Sequence, residues 1–173
     1  MPEETRSDIS RVAISPDSGK IILVDEEGYS IIINLITNQI ISHFNFKAKI
    51  LDIKFSPDGK YKPNCLIVFN FCFWEINRFL AAVSDGNLRV FEAPSFLKSI
   101  EPLVLYKKLK AIHTQPIMGV IWSPDSRFLV TMSKDLTVKI WALHNISDFQ
   151  PFTFTGHKKV CVHSFFSPDM KYV

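Results

Sequence analysis

The sequence predicts an all-β chain of repeated four-stranded units, the pattern of a β-propeller cut short. The triplet Ser-Pro-Asp occurs four times, at Ser15, Ser56, Ser123 and Ser167, with spacings of 41, 67 and 44 residues. Periods of about 40 to 45 residues mark propeller blades, each of which must stack on its neighbours to bury both faces. Each triplet follows an apolar strand, and in the first three copies a tight acidic turn comes after it. β-Branched and aromatic residues dominate the apolar runs, and no segment of useful length has a helical period.

In the first unit the strands are Ser10 to Ile14, Ile21 to Val24, Tyr29 to Leu35 and Ile40 to Phe46, with Glu27-Gly28 as the acidic turn. The second runs from Ile50 to Phe55, then through FLAAVS to the turn Asp85-Gly86, Leu88 to Ala93 and Leu103 to Lys107. Asp-Gly between apolar runs is the strongest two-residue hairpin signal. The third unit has Ile117 to Trp122, Phe128 to Ser133, the turn Lys134-Asp135, Thr137 to Leu143 and Phe152 to Thr155. A fourth begins with Val160 to Phe166. At the triplets, Pro presets φ and Asp bonds its neighbouring backbone, which suits a turn. The units therefore span about 9–46, 50–107, 117–155 and, in part, 160–173. Propellers close with four to eight blades. Three units and the start of a fourth leave open edges, so the expectation is a fragment of a longer protein, cut at both ends.

Composition bounds the rest. The 173 residues are 47% hydrophobic and 13% aromatic, with 15 Phe and 6 Gly, a globular balance. A formal charge of +3 is only mildly basic. The small clusters Lys107, Lys108, Lys110 and Lys158, Lys159 read as solvated surface. Residues 1–10 lack the apolar core of a secretory signal, and no run is long enough to span a bilayer. Three cysteines without a C-x-x-C pair make neither a disulfide framework nor a zinc site, which fits a reducing compartment.

Several residues carry a family resemblance. Gly156-His157 stands ten residues before Ser167, and Ser133-x-Asp135 stands six residues before Trp141. With the Ser-Pro-Asp turns, these resemble the WD-repeat family over essentially the whole chain. In that family a His before the first strand, a Ser or Thr on the second, an Asp in the next turn and a Trp on the third brace each blade. Carried over, the set is His113, Ser133, Asp135 and Trp141, with Ile112 in place of the usual Gly. The chemistry suits a structural role: a carboxylate orients the imidazole, and a hydroxyl relays to the indole N–H. The first two units lack this set. Phe46 and Phe91 take the His and Trp positions in the second, which keeps Asp85. Thr5, Ile33 or Asn34, and Glu27 stand there in the first, so both must rely on apolar packing.

The 67-residue spacing carries a surplus. Removing 62–78, KPNCLIVFNFCFWEINR, would restore the third unit's count from Ser56 to Phe91. Three readings stay open: a translated intron or other gene-model error, an extra edge strand, or a partner-binding loop. A Phe-rich run is what a pyrimidine-rich splice region would encode, and an exposed loop of this character would be a sticky patch.

Other chemistry finds little support. His113, Ser133 and Asp135 could be misread as a catalytic triad, but blade spacing explains them and a triad is defined by geometry. His157, Cys161 and His163 lack a fourth metal ligand. Asp25, Glu26 and Glu27 supply too few oxygens for calcium, and no phosphate-cradling glycine loop occurs. The expectation is no enzyme, cofactor, metal, membrane or small-molecule substrate.

A narrower resemblance rests on Ile21 to Leu35, His43 to Lys60, Phe91 to Lys107 and Thr155 to Phe166. Their Val-Asp-Glu-x-Gly turn, His-Phe-x-Phe-Lys strand and Ala93-Pro94 are similar to the N-terminal propeller of a family of long eukaryotic small-subunit processome scaffolds. That resemblance implies a nucleolar, non-catalytic assembly role in pre-ribosomal RNA processing. The partners would be other processome proteins and a pre-ribosomal RNA or small nucleolar RNA complex, touched directly or through protein. The alternative is a cytoplasmic WD-repeat adaptor, such as an actin-linked or ubiquitin-ligase receptor propeller.

Overall fold

The computed structural model describes residues 7–57, 79–93, 102–144 and 149–173. Among them are twelve strands and no helix. The first sheet holds β1 (Ile9–Ile14), β2 (Lys20–Asp25), β3 (Tyr29–Asn34) and β4 (Gln39–Asn45). The second holds β5 (Asp52–Phe55), β6 (Phe79–Ser84), β7 (Asn87–Glu92) and β8 (Val104–Leu109). The third holds β9 (Ile117–Trp122), β10 (Phe128–Ser133), β11 (Val138–Ala142) and β12 (Phe152–Phe154). Each is a four-stranded antiparallel sheet with its strands in chain order. This is an incomplete WD-type propeller.

Packing explains the sequence pattern. A strand's side chains alternate between faces, and the second sheet is covered on both. Leu80 and Ala82 of β6 enter a core with Ile22, Val24 and Ile32 of the first sheet. Phe79, Ala81 and Val83 enter another with Val120, Trp122 and Leu129 of the third. Every residue of β6 is buried, which is why FLAAVS has no polar alternation. Innermost strands are also joined directly. Val120 N–H donates to Asp52 Oδ2 at 3.0 Å, Trp122 Nε1 to the Lys54 carbonyl at 3.1 Å, and Arg11 Nε to the Leu51 carbonyl at 2.6 Å.

The Ser-Pro-Asp turns share one closure. Ser15 N–H donates to the Lys20 carbonyl and Lys20 N–H to Ser15 Oγ, both at 2.9 Å. Ser123 and Phe128 exchange the same pair at 2.9 and 2.9 Å, and Ser167 and Tyr172 at 2.9 and 3.0 Å. In each, the serine hydroxyl also donates to the aspartate two residues on.

The structure differs from the expectation at the fourth unit. Val160 to Phe166 forms no strand. Instead Cys161 and Phe166 pack on Val130, Met132 and Val138 of the third sheet. The surplus 62–78 and the Thr5 position lie outside the described residues.

Candidate functional site: the polar brace of the third sheet

Register decides which side chains meet. Trp141 of β11 lies opposite Leu129 of β10, so its diagonal neighbour on the same face is Thr131, two residues on. Ser133 is four residues from Leu129, roughly 13 Å along the strand. The hydroxyl relay therefore belongs to Thr131, not to Ser133 as the family resemblance implied. Trp141 Nε1–H donates to Thr131 Oγ1 at 3.0 Å, and Thr131 Oγ1 lies 2.8 Å from His113 Nε2. On the other side of the ring, His113 Nδ1 lies 2.9 Å from Asp135 Oδ2.

One proton arrangement satisfies the whole chain. The indole donates to the threonine hydroxyl, the hydroxyl donates to Nε2, and Nδ1–H donates to the carboxylate. Thr131 is 0% exposed, so neither end of its hydroxyl reaches water. Asp135 is held in turn by Thr137, whose amide and hydroxyl donate to Oδ1 at 2.9 and 2.6 Å. Ser133 has a different task. Its hydroxyl lies 3.0 Å from the Gln115 carbonyl and 3.1 Å from that of Pro116, and it accepts the Asp135 amide at 3.1 Å. It ties the hairpin to the loop before β9.

The charges follow from these contacts. Burial pushes the His113 imidazole below its ordinary value of 6.5, against the Asp135 hydrogen bond and charge, while Lys139 adds to the depression. Burial opposes ionisation of Asp135, but bonds from Thr137 and His113 outweigh it and hold the carboxyl well below the usual range. Both folded values lie below their unfolded ones, so the unfolded chain binds more protons in acid and stability falls with pH. The His113 contribution is lost as pH drops from about 6.5 through its folded value, and that of Asp135 below about 3.8. Urea midpoints measured from pH 7.5 to 5 should fall, and His113→Phe should flatten that slope. An unchanged slope in the variant would show that His113 is not the titrating group.

The second sheet solves the same problem without polar atoms. Leu80 pairs with Phe91 as Leu129 pairs with Trp141, which puts Ala82 at the position of Thr131. Phe46 and Phe91 meet edge to face with ring centroids 5.4 Å apart, and Phe44 completes the cluster at 5.0 and 5.2 Å. Arg89 caps it, lying 5.7 Å over the Phe46 ring and donating to its carbonyl at 2.6 Å. Counting finds Phe46 and Phe91. Ala82 carries no signal until the register is known. In the first sheet Ile33 takes the Trp141 position, opposite Ile21.

The remaining turn residues are placed as follows. Asp85 and Gly86 form the two-residue turn between β6 and β7, with Gly86 at φ +64°. In the first sheet the turn's carboxylate is Asp25 instead of Glu27: Oδ1 accepts the amides of Glu27 at 2.9 Å and Tyr29 at 2.8 Å. Gly156 and His157 are exposed. Among the described residues no group of three or more His, Cys, Asp or Glu is placed to hold a metal ion. At the outer rim, Lys107 Nζ reaches the Ala142 and Leu143 carbonyls, both at 3.0 Å. It borders a groove of about 330 Å³ walled by Trp141, Phe149 and Pro151.

A buried hydroxyl bonded on both sides holds strands together; here it locks β10, β11 and the loop before β9. That brace on stacked four-stranded sheets defines a WD-repeat propeller. A sequence profile of the WD domain, G-beta repeat, matches residues 37–92 and 106–142, and the chain belongs to that family. Over nearly its whole length it is also similar to periodic tryptophan protein 2. Identity is 36% with the homolog of Schizosaccharomyces pombe over 98% of this chain, and 32% with the protein of Saccharomyces cerevisiae over 97%. The homolog of Neurospora crassa is 30% identical over 99%. The chain spans 18%, 16% and 18% of these relatives' lengths.

Proposed function

We propose that this chain is part of a non-catalytic scaffold that assembles ribonucleoprotein in ribosomal small-subunit biogenesis, within the processome of the nucleolus. The observation that carries this reading is the similarity to periodic tryptophan protein 2, which covers nearly the whole chain in three fungal relatives. The polar constellation at the brace is used up internally, and WD-repeat proteins act in general as interaction platforms. The far face of the first sheet supports a place in a larger assembly. There Val12, Ile14 and Ile40 are 49%, 55% and 44% exposed, an apolar surface suited to a neighbouring blade. The partners proposed are other processome proteins and an RNA complex reached directly or through them.

Affinity purification of the tagged full-length protein tests the reading. Pre-ribosomal proteins and small nucleolar RNA are the expected catch. Actin or ubiquitin-ligase components without RNA would replace it with the cytoplasmic adaptor.

A further inference from the structure

The second sheet closes its Ser-Pro-Asp turn with the same two bonds as the others, but across a longer stretch. Ser56 N–H donates to the Phe79 carbonyl at 2.8 Å, and Phe79 N–H to Ser56 Oγ at 3.0 Å. The partner stands 23 positions after the serine instead of five, as it does at Ser123, a surplus of 18 residues. Both sides of this neck are fixed. Ser56 is 1% and Phe79 6% exposed, and Ser126 Oγ of the third sheet donates to the Pro57 carbonyl at 2.8 Å.

The register also explains why counting to Phe91 finds 17. Val83 pairs with Leu88 around the second sheet's hairpin, five residues apart, whereas Met132 pairs with Val138, six apart. That hairpin is one residue shorter and hides one residue of the surplus. The repeat match from 37 to 92 carries blade pattern on both sides of it.

We propose that residues 61–78 are an addition to a turn that is complete without them, so that the second blade folds on the residues either side. The chain can then lack or exchange the segment without losing the blade. A mature transcript that skips codons 61–78 would encode such a protein. Loop closure favours the shorter form. Going from 22 intervening residues to the four found after Ser123 raises the folding constant on the order of tenfold.

The test compares the full chain with three variants by urea denaturation and amide exchange. One lacks 61–78, joining Lys60 to Phe79 and restoring the five-residue offset. Another lacks only 61–77, which slips Phe79 by one position and sets the two faces against each other. The third replaces 61–78 with eighteen Gly and Ser residues. The first should match or exceed the full chain's midpoint and keep the Phe79 amide protected. The slipped variant should fall below it, and the Gly-Ser variant should keep the full chain's midpoint. A loss of midpoint in either the 61–78 deletion or the Gly-Ser variant would overturn the proposal, as would equal midpoints for the two deletions.

Discussion

Thr131→Val should destabilise the protein by about 2–4 kcal/mol, the larger of the two brace effects. Valine keeps the shape and the β-branched backbone preference, so the loss isolates the hydroxyl. Without it the buried His113 Nε2 acceptor and the Nε1 donor of the half-buried Trp141 both lose their partner, at a cost of about 1–3 kcal/mol for the first and less for the second. Ser133→Ala should cost only about 1–2 kcal/mol, because its bonds end at backbone groups, the Gln115 and Pro116 carbonyls and the Asp135 amide, and reach none of the brace side chains. Urea denaturation separates the two, and the indole N–H exchange of Trp141 should accelerate only in the Thr131 variant. Equal losses would mean that the hydroxyl relay is not where the register puts it.

The second sheet suggests how to repair that damage. Phe46, Ala82 and Phe91 fill the positions of His113, Thr131 and Trp141 with apolar atoms only. Removing the ring, the hydroxyl and the indole together costs less than removing the hydroxyl alone, and Asp135 keeps its bonds from Thr137 and the Thr114 amide. The combination His113→Phe, Thr131→Ala and Trp141→Phe should therefore be more stable than Thr131→Val alone. A triple variant weaker than the single would show that the polar chain supplies more than satisfied hydrogen bonds.

Gly28→Ala should be the most damaging change outside the brace, at roughly 3–5 kcal/mol from strain and overpacking together. Gly28 has φ +92°, and an added Cβ would sit 2.3 Å from the Ala48 carbonyl oxygen, a backbone atom with little freedom to yield. Any retreat would break the bond from Phe46 N–H to the Gly28 carbonyl at 2.9 Å and pull Phe46 from its ring cluster. Gly156→Ala is the control. Its φ is +97° with nothing within 4 Å of the new atom, so only the left-handed backbone cost of about 1–2 kcal/mol applies. Matching denaturation midpoints for the two variants would contradict a rigid contact at Ala48.

Much of this was legible in the sequence, because the signals are local. The Ser-Pro-Asp turns, Asp85-Gly86 and the strands before and after them each sit within a few residues of the cause. His113, Asp135 and Trp141 were reachable by carrying over the brace that the family resemblance implies. Thr131 was not, since it and Ser133 share a strand and a face, and only the pairing of Leu129 with Trp141 distinguishes them. Ala82 was silent for the same reason, and Val160 to Phe166 has strand composition but packs through Cys161 and Phe166 on the third sheet without forming a strand.

The amino-acid sequence by itself determined the repeating all-β architecture, the turn chemistry and the family. Those depend on spacing, alternation and the backbone habits of Pro, Asp and Gly. Tertiary structure decided which hydroxyl completes the brace and how aromatic rings replace it in the next blade. It also decided that Ser56 closes on Phe79 across 22 intervening residues and that Asp52 and Lys54 bind strands 68 residues away. These rest on register and on contacts between sheets, which join residues whose separation along the chain carries no signal of their meeting.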